Sequence, residues 1–315
     1  MLSRVYTLRY MFKPIYYLND RAMRIGLARP TQLNDRNIAM KKRIFGLSSM
    51  LFVASGYAGT MGPIMEEPTH DSYLGVFGGG GTLSKTSLTQ LGSAYFPDTA
   101  GGPLGVNASG HSNSQSEAIV GGQAGHYFSS VTLPRLTQWS LQPGTELEGY
   151  YIGQNSLTAS DLNNPTPRVP EHDFLVNLPM SAGVGLINAV ASFNHAGFVR
   201  WHPYVAGGIG AAVLSVSHAT STQLSPAEPG INHFNANTSA SATAFASQAK
   251  AGLSFDWTSH WSIFGEYRYL YLAPTDYVFG SAVYAVGVHP ETSSWNVKLS
   301  SQSYNLGVAG IRYTF

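Results

Sequence analysis

An all-β, up-and-down antiparallel β-barrel that crosses a membrane is the fold class this sequence predicts, and three observations carry the prediction. Charged residues make up 11% of the chain, under half of the roughly 25% usual in a soluble domain, while aromatics reach 12% and glycines number 34. No stretch approaches the roughly 18 consecutive apolar residues that write a membrane-spanning helix. Period-2 alternation instead recurs in runs of about ten residues or more bounded by turn residues, and the gaps between runs alternate between long and short.

Eight runs emerge: 72–83, 117–128, 139–152, 173–189, 203–217, 244–257, 261–272 and 302–315. The first, third, fifth and seventh gaps hold 33, 20, 26 and 29 residues, and the intervening ones 10, 13 and 3, the last being Thr258-Ser259-His260. A barrel with both ends in the periplasm has this asymmetry, with short periplasmic turns and long external loops. A soluble β-sandwich has no reason to sort its loops by parity. Eight strands are expected, ten being the alternative if the first or fourth long loop hides a further hairpin.

Ahead of the first run the charge pattern changes. Residues 1–58 hold 10 of the 18 basic residues and only Asp20 and Asp35 of the acidic ones, leaving 8 Lys+Arg against 15 Asp+Glu in the remainder. An acidic remainder argues against a grip on nucleic acid, which needs a basic surface. Lys41, Lys42 and Arg43 precede the apolar stretch 44–53, and Gly56-Tyr57-Ala58 supplies small residues where signal peptidase inspects them. The expectation is an upstream extension over 1–39, with Met40 as the start, a secretory signal over 40–58 cut between Ala58 and Gly59, a periplasmic tail over 59–71 and the barrel over 72–315. Zero cysteine excludes disulfide scaffolds and thiolate sites.

The strand faces can be assigned from charge. In the last run Gly307, Ala309, Ile311, Tyr313 and Phe315 share one face, and Leu306, Val308, Gly310, Arg312 and Thr314 the other. Lipid on the first face keeps Arg312 in the lumen; the reverse costs up to about 2–4 kcal/mol at the bilayer midplane. Ile311, Tyr313 and the terminal Phe315 resemble the C-terminal signal read by barrel-assembly machinery. By the same alternation Trp261, Tyr267 and Tyr269 face lipid, and with Trp257 and Tyr313 they are expected to form an aromatic girdle. The lumen receives Lys250, Glu266, Arg268 and Arg312, joined by Glu146 and Glu148, read as structural ion pairs that fill a narrow barrel.

A family resemblance follows from particular strings. Pro203-Tyr204-Val205-Ala206-Gly207-Gly208-Ile209-Gly210, Lys250-Ala251-Gly252-Leu253, Trp261 with Gly265-Glu266-Tyr267-Arg268-Tyr269, and Gly310-Ile311-Arg312-Tyr313-Thr314-Phe315 occur in that order. Together they resemble the opacity-type, OmpA-like outer-membrane β-barrel family of Gram-negative bacteria, over about residues 72–315. The resemblance implies an eight-stranded barrel with four variable surface loops, in a family whose members are adhesins, immune-evasion surfaces, structural proteins or small pores. No peptidoglycan-binding domain follows the last strand, so anchoring by that route is not expected.

Chemistry has little support in the sequence. Gly78 to Gly81 lack the Gly-Lys-Ser/Thr of a phosphate loop and read as small residues making room for bulky neighbours. The ten histidines are dispersed with no H-x-x-x-H pair, so no metal site is expected; His172, between Glu171 and Asp173, reads as a wet loop end. His111-Ser112 has residue types suited to a lipid deacylase but lies in a Gly/Ser/Asn-rich loop. No catalytic residue and no cofactor are expected. Loop 4, residues 273–301, carries Tyr277, Phe279, Tyr284 and Trp295 as candidate contact residues for a host or matrix ligand, with the equal and compatible alternative that residues 277–288 extend the last two runs as a hairpin above the membrane. The expected role is a monomeric structural or surface-interaction protein of the outer membrane, in contact with lipid and lipopolysaccharide and delivered by periplasmic chaperones and the assembly machinery. A small-solute pore is the alternative, and a rim-located hydrolase the distant one.

Overall fold

The computed structural model describes residues 72–134 and 136–315. The expected export signal, its Ala58–Gly59 junction and the tail to residue 71 lie outside the described residues.

Eight antiparallel strands close on themselves: β1 (Ser72–Leu83), β4 (Gln115–Tyr127), β6 (Leu136–Asn163), β7 (Asp173–His195), β8 (Trp201–Val216), β10 (Ala240–Asp256), β11 (Trp261–Leu272) and β14 (Gln302–Thr314), with β14 returning to pair with β1. All eight expected runs are present, and β1 and β11 match to the residue. Following paired residues once around, from Gly252 through Glu266, Val308, Gly79, Ile119, Ile152, Ala182 and Leu214, returns to Ala242, a stagger of 10. At about 3.3 Å per residue and about 4.8 Å between strands, that stagger tilts the strands by about 41° and gives a radius of about 8 Å, an interior that side chains fill.

The long connections are not loose loops. They fold as β2 (Ser87–Ala94), β3 (Leu104–Ser112), β9 (Thr220–Ser225), β12 (Thr275–Phe279) and β13 (Trp295–Leu299), while a short β5 (Val131–Leu133) lies in the first periplasmic turn. Above the barrel these strands continue the wall in the order β12-β13-β2-β3, then the upper parts of β6 and β7, then β9. The gap between β9 and β12 is bridged by loop 3 (226–239): the Gly280 amide donates to the Asn237 carbonyl at 2.8 Å and the Ala236 amide to the Ser281 carbonyl at 3.1 Å. The result is a crown standing on the barrel.

The two storeys have opposite polarity, and β6 shows it within one strand. Its lower inward residues are Glu146, Glu148 and Tyr150; past a bulge after Ile152 they become Leu157, Ala159 and Leu162. Outward, Leu147 and Tyr151 give way to Ser156, Thr158 and Ser160. The lower wall, with Leu74, Val76, Val120, Ile187, Ile209 and Ile311 exposed on it, needs lipid around it. The crown needs water, so it hides Leu88, Val106, Phe174, Leu178, Phe279 and Val297 inside.

Within the run of four glycines, two positions are crowded chiefly by the β14 backbone. A Cβ on Gly79 would stand 2.1 Å from the Gly307 carbonyl oxygen, and one on Gly81 1.9 Å from that of Asn305. At Gly79 the Val308 side chain stands in the way as well, at 2.8 Å, while Gly78 has ordinary room.

Candidate functional site

The lumen holds a charge network built from facing strands. Alternation on β6 places Glu146 and Glu148 two residues apart on the inner face, with Lys250 on β10 and Glu266 and Arg268 on β11 converging on them. Lys250 Nζ lies 2.6 Å from Glu146, 3.4 Å from Glu148 and 3.7 Å from Glu266. Arg268 pairs with both Glu148 and Glu266 while its guanidinium lies 4.0 Å over the Phe77 ring. Asn188 donates to Glu146 and Glu148 at 2.9 Å, Tyr73 to Glu146 at 2.8 Å and Tyr204 to Glu266 at 2.7 Å. Arg312 stands apart from this cluster: it packs 4.3 Å over Tyr73 and 5.0 Å over Phe264, and donates to the Tyr127 hydroxyl at 3.3 Å. Three carboxylates balance three cations, and all six residues are buried, Arg268 at 0% exposed. A water-filled passage would wet these groups.

Outside, Trp257, Trp261 and Tyr313 lie at the periplasmic end, where the Trp261 and Tyr313 rings meet edge-on at 5.0 Å. Tyr267 and Tyr269 stand higher on the same outer face, donating to Asn305 at 2.5 Å and lying 3.0 Å from the Ser303 hydroxyl. The expected aromatic set is therefore spread along the strand. Ile311 and Phe315 are exposed on the outer wall beside Tyr313.

The contact residues expected in loop 4 are corrected by the fold. Tyr277, Phe279 and Trp295 are 0–1% exposed, because β12 and β13 pair as a hairpin whose alternate residues face the crown interior. Tyr284 is a strut: its hydroxyl accepts from the Asn232 amide at 2.7 Å and donates to the Asn232 carbonyl at 3.2 Å. What faces water is the tip, with Val283, Val286 and Val288 at 58%, 105% and 60%.

His172 is likewise no wet loop end. It is buried, bonded through Nε2 to Gln223 Oε1 at 2.8 Å, and burial, only partly offset by that bond, lowers its pKa. His111 and Ser112 lie on opposite faces of β3, His111 exposed and Ser112 buried with Oγ accepting the Thr86 amide, so they do not form a base–nucleophile pair.

One constellation escaped the sequence. Glu228 and His233 from loop 3 meet His289 from loop 4, with both His Nε2 atoms 3.3 Å from Glu228 Oε2 and all three ligand atoms within 4.8 Å of one another. Burial works to raise the Glu228 carboxyl, but hydrogen bonds and charge from the two histidines outweigh it and hold the group at about 2. Hydrogen bonding to Glu228 raises His289 in turn, against burial. With 55 residues between His233 and His289, no spacing signal exists.

No family model and no curated protein matches the chain in sequence. Solved structures similar to it include Neisserial surface protein A (14% identity, 78% of this chain and 97% of that one, TM-score 0.28). Outer membrane protein OprG from Pseudomonas aeruginosa is another (11%, 78% and 96%, TM-score 0.32), as is Ail, the attachment invasion locus protein of Yersinia pestis (10%, 72% and 98%, TM-score 0.21). Eight-strand closure, an apolar outer wall and an ionic interior make the chain an integral outer-membrane β-barrel.

Proposed function

We propose that this barrel does not conduct and serves as a surface-presenting protein whose working part is the outside of the crown. The observation behind this reading is the double seal: a charge-balanced, buried network in the lumen, capped by an apolar crown interior. Solutes have no wet route inward, so partners meet the outer face and the valine-bearing tip of loop 4. Within this reading the chain is a monomer of the opacity-type, OmpA-like group, which the eight-strand closure supports, and no reaction is assigned to it. Its export uses residues 40–58 as a cleaved signal and Ile311, Tyr313 and Phe315 for assembly, with lipopolysaccharide around the outer rim.

Planar-bilayer conductance of the refolded protein tests the seal, with heat-modifiable gel mobility confirming the fold. A folded, silent barrel is expected; reproducible discrete openings would make it a small-solute pore. The contact role is tested by adhesion of cells displaying the protein to host cells or matrix. V283S/V286S/V288S is expected to abolish adhesion while leaving gel mobility unchanged, and retained adhesion would remove the tip from the reading.

A further inference from the structure

We propose that Glu228, His233 and His289 form a binding site for one divalent transition-metal ion of the zinc class, clipping loop 3 to loop 4 at the seam of the crown. Three features of the geometry lead there, and none depends on how the barrel is used.

The first is the direction of the two Nε2 atoms. His233 Nδ1 donates to the Ser221 carbonyl at 3.0 Å, and His289 Nδ1 donates to the Pro290 carbonyl at 2.6 Å. Each bond fixes the ring with Nδ1 as donor, so Nε2 is the atom turned toward Glu228; without a metal its proton bonds the carboxylate, and a bound ion would displace that proton. Backbone carbonyls holding the far nitrogen of a ligating histidine are the usual support of a metal site. His172, in the same cavity wall, shows the contrast: its Nε2 is already bonded to Gln223 and its Nδ1 lies 3.5 Å from Asn164 Nδ2, so it is satisfied without a cation.

The second is the spacing. Zinc–nitrogen and zinc–oxygen bonds of about 2.0–2.1 Å at tetrahedral angles put neighbouring ligand atoms about 3.3 Å apart. Both Nε2–Oε2 separations are 3.3 Å, and the third edge is no longer than 4.8 Å. Two imidazoles and a carboxylate are a donor set for zinc and its neighbours in the transition series, and a poor one for calcium or magnesium.

The third is the surroundings. His233 is 2% exposed, held edge-on between Phe174 and Trp295 at 5.5 Å from each ring, so this ligand is rigid. Glu228 is 27% exposed and gives an entry path from outside. The three residues open on a cavity of about 180 Å³, room for water to complete the coordination that three protein ligands leave open.

The test uses the full refolded chain, freed of metal by chelation, and zinc or cobalt(II) alone. One equivalent of zinc is expected to bind, cobalt(II) to give the visible absorption of a low-coordinate nitrogen/oxygen site, and zinc to raise the crown's resistance to protease. H289A and E228Q are each expected to weaken zinc binding by about a hundredfold or more, since loss of a supporting residue alone costs about 10–100-fold. E228Q keeps the size and a hydrogen-bonding head, so it serves if H289A disturbs folding as read by gel mobility. H111A, on the exposed face of β3, is the control and is expected to bind as the parent does. No stoichiometric binding, or equal binding by the parent and E228Q, would overturn the site and leave the cluster as a histidine–carboxylate ion pair.

Discussion

Lys250→Met is the perturbation that most directly tests the lumen. Lys250 Nζ lies 2.6 Å from Glu146 Oε1, with both side chains 1% exposed. At an effective permittivity of about 20 that contact is worth about 6 kcal/mol of attraction, against a desolvation cost of several kcal/mol per ion. Removing the lysine leaves three buried carboxylates in a lumen with two cations, of which only Arg268 pairs with them, and Glu146 keeps hydrogen bonds from Tyr73 and Asn188. The expected loss is about 3–5 kcal/mol, as for other buried pairs broken from one side. Glu146→Gln alone should cost a similar amount by stranding Lys250. K250M/E146Q restores the balance with two of each sign and should lie within about 1–2 kcal/mol of the parent, since neutral replacement of a whole buried pair is often tolerated. The assay is urea-induced unfolding in lipid vesicles, followed by tryptophan fluorescence and gel mobility. Singles costing under about 1 kcal/mol, or a double mutant equal to the sum of the singles, would refute a compact, mutually dependent network.

Further outcomes follow from the change of polarity between storeys. Ile187→Arg, halfway along the barrel part of β7 and 62% exposed, should cost about 2–4 kcal/mol, whereas Val278→Arg on the crown's outer face, 60% exposed, should stay within about 0.5 kcal/mol. Equal costs in vesicle refolding would place the membrane boundary wrongly. Trp295→Ala removes a side chain packed against Phe174 and His233 and bonded to Thr292 at 3.1 Å, and should cost the crown about 3–5 kcal/mol. Limited proteolysis would show it as new cleavage in loop 4 with the barrel strands still protected; an unchanged pattern would contradict the crown core. Val286→Asp, fully exposed, should leave unfolding within about 0.5 kcal/mol of the parent, and a larger loss would mean that the tip is packed.

The barrel was legible because each of its strands announces itself locally. Alternation along Trp261–Leu272 or Gln302–Thr314 separates Arg268 and Arg312 from Ile263 and Ile311, and lipid makes only one choice of faces affordable. Loop 4 was legible as a candidate hairpin but not in which way its faces turn. There the surroundings are water, so the alternation Tyr277-Val278-Phe279 turns its aromatics inward, and the larger side chains became core where a contact surface was expected. Nothing within loop 4 states on which side of the interface it lies.

The eight membrane runs, their faces and the inward charges were thus legible in the sequence alone, since a period of two and the cost of charge in hydrocarbon are both local; that the hairpins of the first and fourth long loops stand above the barrel and add no strand to it was not. The stagger of 10, the closure of the crown through Asn237 and Gly280, and the meeting of Glu228, His233 and His289 were decided by tertiary structure. They depend on which backbones pair across gaps of tens of residues, and no local pattern encodes that pairing.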